Sequence, residues 1–189
     1  MPAGERLIDQ NGRNAHYVAG LLFAHLRNRL LRHEKVSGHI GVDHGLPRYE
    51  CLQMEYNLYD RAEYEETLEP VCIENGLGVI TYFSLASGFL TGKYRSAADV
   101  TNKARGDFVK KYLNERGFGI LGTLDQVAKR LHATPARVAL AWLIARPTVT
   151  APIASATSLA QLKELIDATK LKLDEASMGL LNQASDWRP

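Results

Sequence analysis

Three short apolar segments alternate with amphipathic helices along most of this chain, and that rhythm limits the fold more than any other feature. Cys51 to Tyr56, Gly78 to Phe83 and Val149 to Ile153 read as strands, each bounded by turn residues and the latter two rich in β-branched or aromatic side chains. Between and after them the apolar period lengthens to that of a helix. Tyr64 to Glu74 reads as one, closed by Asn75-Gly76. Phe108 to Asn114 reads as a short helix and Ile120 to Leu131 as a longer one, with Leu121, Leu124, Val127, Ala128 and Leu131 on one face. Thr134 with Pro135 behind it opens a largely apolar helix that Pro147 ends. Ser158-x-x-Gln161 fits a capping box, and Asp174 caps a last helix ending near Ser185. Strand, helix, strand, helices, strand, helix, helix is the order of an α/β fold with parallel strands under covering helices. Three such strands do not close a barrel, and open edges need pairing or cover.

The first 44 residues are of another character. Ala15 to Lys35 reads as one basic amphipathic helix, with Val18, Leu22, Leu26 and Leu30 on its apolar face and Arg27, Arg29, Arg32, His33 and Lys35 supplying charge. The expected domains are therefore 1–44, a divergent segment with one helix, and 45–189. A net charge of +2 gives no case for nucleic acid. Two cysteines, Cys51 and Cys72, without CxxC spacing suit a reducing cytoplasm better than a disulfide scaffold or zinc site. No apolar run approaches a membrane span, and the N-terminus lacks a signal-peptide layout. His39 and His44 flank Asp43, but no further ligand has metal-site spacing, so no metal is expected.

Candidate binding residues cluster just after the strands. Ser84-Leu85-Ala86-Ser87-Gly88 follows the second strand, which sets hydroxyls and open amides at the carboxyl edge of the sheet, with Lys93 close in sequence. Pro152 to Ser158 is a small-residue turn feeding a helix N-terminus, where phosphate can sit against amides. By pattern alone, both more often simply turn the chain. Strand alternation sends Tyr82 to one face and Phe83 to the other, so one of them could present an aromatic plane to a flat ring, although core packing is the commoner use of a strand tyrosine. Gln53 on a short apolar strand reads as a buried amide that needs a partner.

The order and spacing of these pieces resemble the second half of an aldo-keto reductase. Gln53 stands beside Glu55-Tyr56-Asn57; Tyr82 precedes Ser84 to Lys93. Thr134-Pro135-Ala136-Arg137-Val138-Ala139-Leu140-Ala141-Trp142-Leu143 and Pro152 to Ala156 with Gln161-Leu162 complete the pattern. The likeness runs from about Gly45 to Ser185. It implies a partial (β/α)₈ TIM barrel: the last three βα units plus C-terminal helices, preceded by a non-matching amphipathic helix. A whole barrel typically takes about 250 residues.

The resemblance implies NADP(H), with NAD(H) open, as the cofactor. Gln53 would meet the nicotinamide carboxamide and Tyr82 would stack on its ring. Ser84, Leu85, Ser87, Gly88 and Lys93 would line the pyrophosphate. Ser155, Thr157 and Gln161 would lie near the adenosine end. Ser155 stands where the family often has glycine, Thr157 where it often has an arginine for the NADP phosphate, and Leu165 where it often has asparagine. These departures leave the choice between the two dinucleotides open.

The family's tyrosine acid, its lysine and aspartate, and its histidine lie on strands before the glutamine strand. No stretch here matches them, and no catalytic residue is assigned. Reduction of a carbonyl needs a proton donor within reach of the developing alkoxide. The expectation is a cytoplasmic, aldo-keto reductase-type oxidoreductase of aldehydes and ketones, inactive unless another chain completes it. The alternative is a non-enzymatic truncated remnant, or a fragment self-associating through open sheet edges. In a minor variant the basic helix lies on an anionic membrane.

Overall fold

A computed structural model describes residues 50–100 and 106–188. The expected helix at 15–35, His39 and His44 lie outside these residues. Strands β1 (Cys51–Glu55), β2 (Gly78–Tyr82) and β3 (Val149–Pro152) form one parallel sheet in the order β1-β2-β3. A π-helical turn (Tyr64–Leu68) runs into α1 (Glu69–Asn75) between the first two strands. After β2 come 3₁₀ turns at Ala86–Thr91 and Ala97–Val100, then the short α2 (Gly106–Val109) and a further turn at Lys110–Tyr112. Helices α3 (Glu115–Arg130) and α4 (Pro135–Ile144) lead to β3, and α5 (Leu159–Ala168) and α6 (Glu175–Ala184) follow it. This is the α/β arrangement expected of a partial barrel.

Local chemistry sets most boundaries. The side chains of Thr134, Ser158 and Asp174 each accept the backbone N–H three residues on, at the starts of α4, α5 and α6. Gly76 ends α1 with φ of 62°, a left-handed conformation that glycine adopts without steric cost. The helix expected over Phe108 to Asn114 is instead α2 plus a 3₁₀ turn, because Asn114 caps α3 by accepting the Gly117 N–H. α3 therefore starts five residues before Ile120, the expected first residue. Gly117 permits this, since a Cβ there would overlap the Tyr112 carbonyl oxygen.

The core lies on one side of the sheet. Met54, Val79, Thr81 and Val149 are buried beneath the helices. Its centre is Trp142 on α4, fully buried, with the Tyr56 ring 5.4 Å away and the Tyr64 ring 4.5 Å from that of Tyr56 and tilted by 54° to it. Arg61, only 4% exposed, donates to both Glu65 oxygens, the Asn182 carbonyl and Ser185 Oγ, tying the loop after β1 to α6. The other face is different. Register pairs Gln53 with Ile80 and Glu55 with Tyr82, so these side chains share it. Cys51, Gln53 and Ala151 are exposed there, and Glu55, Ile80 and Tyr82 only partly covered. Gln53 is thus not the buried amide its apolar neighbours suggest: the helices cover the opposite face.

Candidate binding site at the carboxyl edge

β2 ends one residue earlier than the Gly78 to Phe83 run implies. Phe83 leaves the strand with φ of 51°, and Ala86, Ser87 and Gly88 follow at 50°, 57° and 93°. Four left-handed residues within six positions fold the chain back over the strand end. The turn is closed by hydrogen bonds from Ala86 N to Phe83 O (2.7 Å) and from Gly88 N to Leu85 O (2.8 Å). Leu85 also accepts the Leu90 N–H, so its part in the loop is its carbonyl. The Ser84 hydroxyl is buried, lying 3.1 Å from the Thr81 carbonyl and 3.0 Å from Thr81 Oγ1. It holds the strand end and faces inward. Ser87 is also buried.

Gly88 and Lys93 are brought together. A Cβ on Gly88 would lie 3.0 Å from Lys93 Nζ, so the bare glycine makes room for the ammonium. The same ammonium lies 5.0 Å from the centre of the Tyr94 ring. Loop and lysine thus form a cationic, glycine-lined cradle at the end of β2, a shape suited to a phosphate group.

The loop after β3 reaches the same edge, where Ile153 N donates to Thr81 O at 2.7 Å. Ser155, Thr157 and Gln161 are exposed. Gln161 Oε1 accepts from both the Thr157 backbone N–H (2.8 Å) and the Thr157 hydroxyl (3.0 Å). The capping box is therefore displaced by one residue: Gln161 reaches Thr157 rather than Ser158. Gln53 lies one strand repeat below Tyr82 on the adjoining strand and the same face.

A polar network beside Tyr82 was not legible in the sequence. Lys111 Nζ bridges Glu55 Oε1 (3.0 Å) and Asp60 Oδ1 (3.2 Å), and Tyr112 donates its hydroxyl to Asp60 Oδ2 (2.8 Å). Burial and the neighbouring Asp60 raise the Glu55 carboxyl above the usual range. Burial acts on Asp60 in the same direction, but Lys111, Tyr112 and Asn57 outweigh it and hold that carboxyl low. The Tyr82 phenol is raised by burial, then by Glu55 and Glu63.

Asn57, fully buried, joins this network to the loop after β2. Its Oδ1 accepts from Tyr59 N (2.8 Å) and Asp60 N (3.0 Å), and its Nδ2 donates to Asp60 Oδ2 (3.0 Å) and Phe83 O (3.1 Å). The one sequence signal for it was the Asx-turn spacing of Asn57, Tyr59 and Asp60. Among the described residues no group of three or more His, Cys, Asp or Glu is placed to hold a metal ion. No described helix is long and apolar enough to cross a membrane.

Residues 32–186 match the family model described as Aldo/keto reductase family. The chain is 34% identical over 131 residues to the Bacillus subtilis protein named uncharacterized oxidoreductase YrpG, covering 69% of this chain and 38% of that one. It is 32% identical over 138 residues to probable aldo-keto reductase 1 of Glycine max, covering 71% and 39%. A Schizosaccharomyces pombe aldo-keto reductase, yakc, whose name carries NADP(+), is 31% identical over 144 residues, 72% of this chain and 42% of its own. The chain thus spans about two fifths of the length of these curated relatives.

Proposed function

This chain belongs to the aldo/keto reductase family, and from that premise we propose that residues 45–189 form the dinucleotide-binding part of an NADP(H)-dependent carbonyl reductase. The observation that carries the reading is the cradle after β2. There a left-handed loop at Ala86-Ser87-Gly88, the Lys93 ammonium over Gly88 and the half-buried Tyr82 ring converge at one sheet edge. In this reading Tyr82 lies under the nicotinamide and Gln53 reaches its carboxamide. Main-chain groups of Ser84, Leu85, Ser87 and Gly88 face the pyrophosphate, with Lys93 supplying the counter-charge. Ser155, Thr157 and Gln161 take the adenosine end. The bound dinucleotide would supply hydride to a small aldehyde or ketone.

Protonation of the product is a separate requirement. Tyr56, Tyr64 and Tyr112 are all held above the ordinary tyrosine value, first of all by burial, and Tyr82 likewise. A phenol raised in this way is a weaker acid, the opposite of what alkoxide protonation needs. Because no stretch of this sequence matches the family's tyrosine acid, the chain by itself is expected to bind NADPH without consuming it in the presence of a reactive aldehyde. Turnover would require a donor from outside the described residues. Fluorescence titration with NADPH and NADH is the direct test. Tyr82→Ala is expected to weaken NADPH by about tenfold, through loss of ring stacking. An unchanged affinity would remove the cradle reading, and steady NADPH oxidation by the chain alone would remove the inactivity.

A second reading, a non-enzymatic self-associating fragment, is favoured by the open sheet face and by Leu159, Leu162 and Ile166, exposed along one side of α5. It expects oligomers by sedimentation velocity whose size does not change when NADPH is added; a monomer across the micromolar range contradicts it.

A further inference from the structure

We propose that Phe83 is the second ring of a two-ring seat for the nicotinamide end of the dinucleotide. The inference rests on the cradle reading above and extends it to Phe83, to which the resemblance gave no role. Phe83 is a bulky residue in the left-handed region, at φ of 51°. Such a conformation is unfavourable for a side chain of this size and persists where neighbouring groups enforce it. Here two donors do so, both on the Phe83 carbonyl: the Ala86 N–H at 2.7 Å and the Asn57 amide at 3.1 Å.

The consequence is positional. An extended Phe83 would project from the opposite sheet face to Tyr82. Instead its ring stands 46% exposed, edge-on to Tyr82, with centroids 5.4 Å apart and planes at 69°. The two rings make a corner: one plane to lie against, one wall beside it. A flat, weakly polar ring fits such a corner, whereas a phosphate gains nothing from it. Because Phe83 begins the same turn that carries Gly88, wall and phosphate cradle belong to one rigid loop.

The full chain is the material for the test, with NADPH, reduced nicotinamide mononucleotide and 2′,5′-ADP as probes. Phe83→Ala is expected to weaken NADPH and the mononucleotide by about fivefold and to leave 2′,5′-ADP unchanged. Phe83→Tyr should restore both. Thermal melts separate binding from folding, since Phe83→Gly also removes the ring but tolerates the left-handed backbone. Loss of mononucleotide binding in Phe83→Gly, with a melting temperature at or above the parent's, supports the seat. If Phe83→Ala leaves the mononucleotide unchanged while Tyr82→Ala weakens it, the second ring is overturned and the cradle stands. If the unsubstituted chain binds neither NADPH nor the mononucleotide, both fall together.

Discussion

Trp142→Ala is expected to lower folding stability by about 3–5 kcal/mol, the range for removing a buried aromatic side chain. The indole is fully buried on α4, with the Tyr56 ring 5.4 Å away and two guanidinium groups, Arg61 and Arg146, each 5.4 Å from its ring. Its Nε1 donates to Asn182 Oδ1 at 2.8 Å, joining α4 to α6. Alanine leaves a void, an amide oxygen without its donor and two guanidinium groups without their ring. Trp142→Phe keeps much of the packing and should cost clearly less. Urea unfolding followed by far-UV circular dichroism measures both. A loss under about 1 kcal/mol for alanine would mean the core collapses around the site far better than a close-packed interior normally allows.

The second large effect concerns Arg61. Arg61→Leu is expected to cost about 3–5 kcal/mol, the range for removing one partner of a buried ion pair. Glu65 would keep its bonds from the Tyr56 hydroxyl (2.7 Å) and Trp187 Nε1 (3.2 Å) and the more distant Arg146 guanidinium (3.6 Å), but lose both bonds from Arg61. The sign with pH follows from Glu65. Burial pushes its carboxyl up, but hydrogen bonds from Arg61, Tyr56 and Trp187 prevail and the folded-state value is lowered. Stability from this group is therefore present above its ordinary value of 4.5 and fades as pH falls through the lowered one. In Arg61→Leu that contribution is reduced, since only the Tyr56 and Trp187 bonds remain to lower the carboxyl, so the gap between parent and variant should narrow on acidification. Arg61→Leu with Glu65→Leu should regain most of the loss. A gap that is constant from pH 7 to below pH 4 would show that Arg61 acts through packing and its bonds to Asn182 and Ser185 rather than through Glu65.

Features decided by neighbours in sequence were legible in it. Thr134, Ser158 and Asp174 cap their helices because a cap needs only its own side chain and the amide three residues on. The cradle was legible for the same reason: Gly88 and Lys93 are five apart and meet within one turn. What failed depended on distant partners. Glycines at 117, 119 and 122 hid the first turn of α3, which the Tyr112 carbonyl and the Asn114 cap place. The exposure of Gln53 depends on which face the helices cover, and its strand carries no record of that. The bridge from Lys111 to Glu55 spans 56 positions, a separation at which no local pattern operates. Phe83 reads as the last residue of a strand because one of the two donors that turn it away belongs to Asn57, 26 residues earlier.

One side chain thus fastens the turn after β1 to the turn after β2, and through Asp60 to the segment carrying Lys111 and Tyr112. Segments coupled in this way lose their protection together. The amides of Tyr59 and Asp60 sit in one turn and that of Ala86 in another, yet each depends on Asn57 directly or through Phe83. In proton-for-deuteron exchange they would behave as one breathing unit, and a ligand seated on a single turn would slow all three.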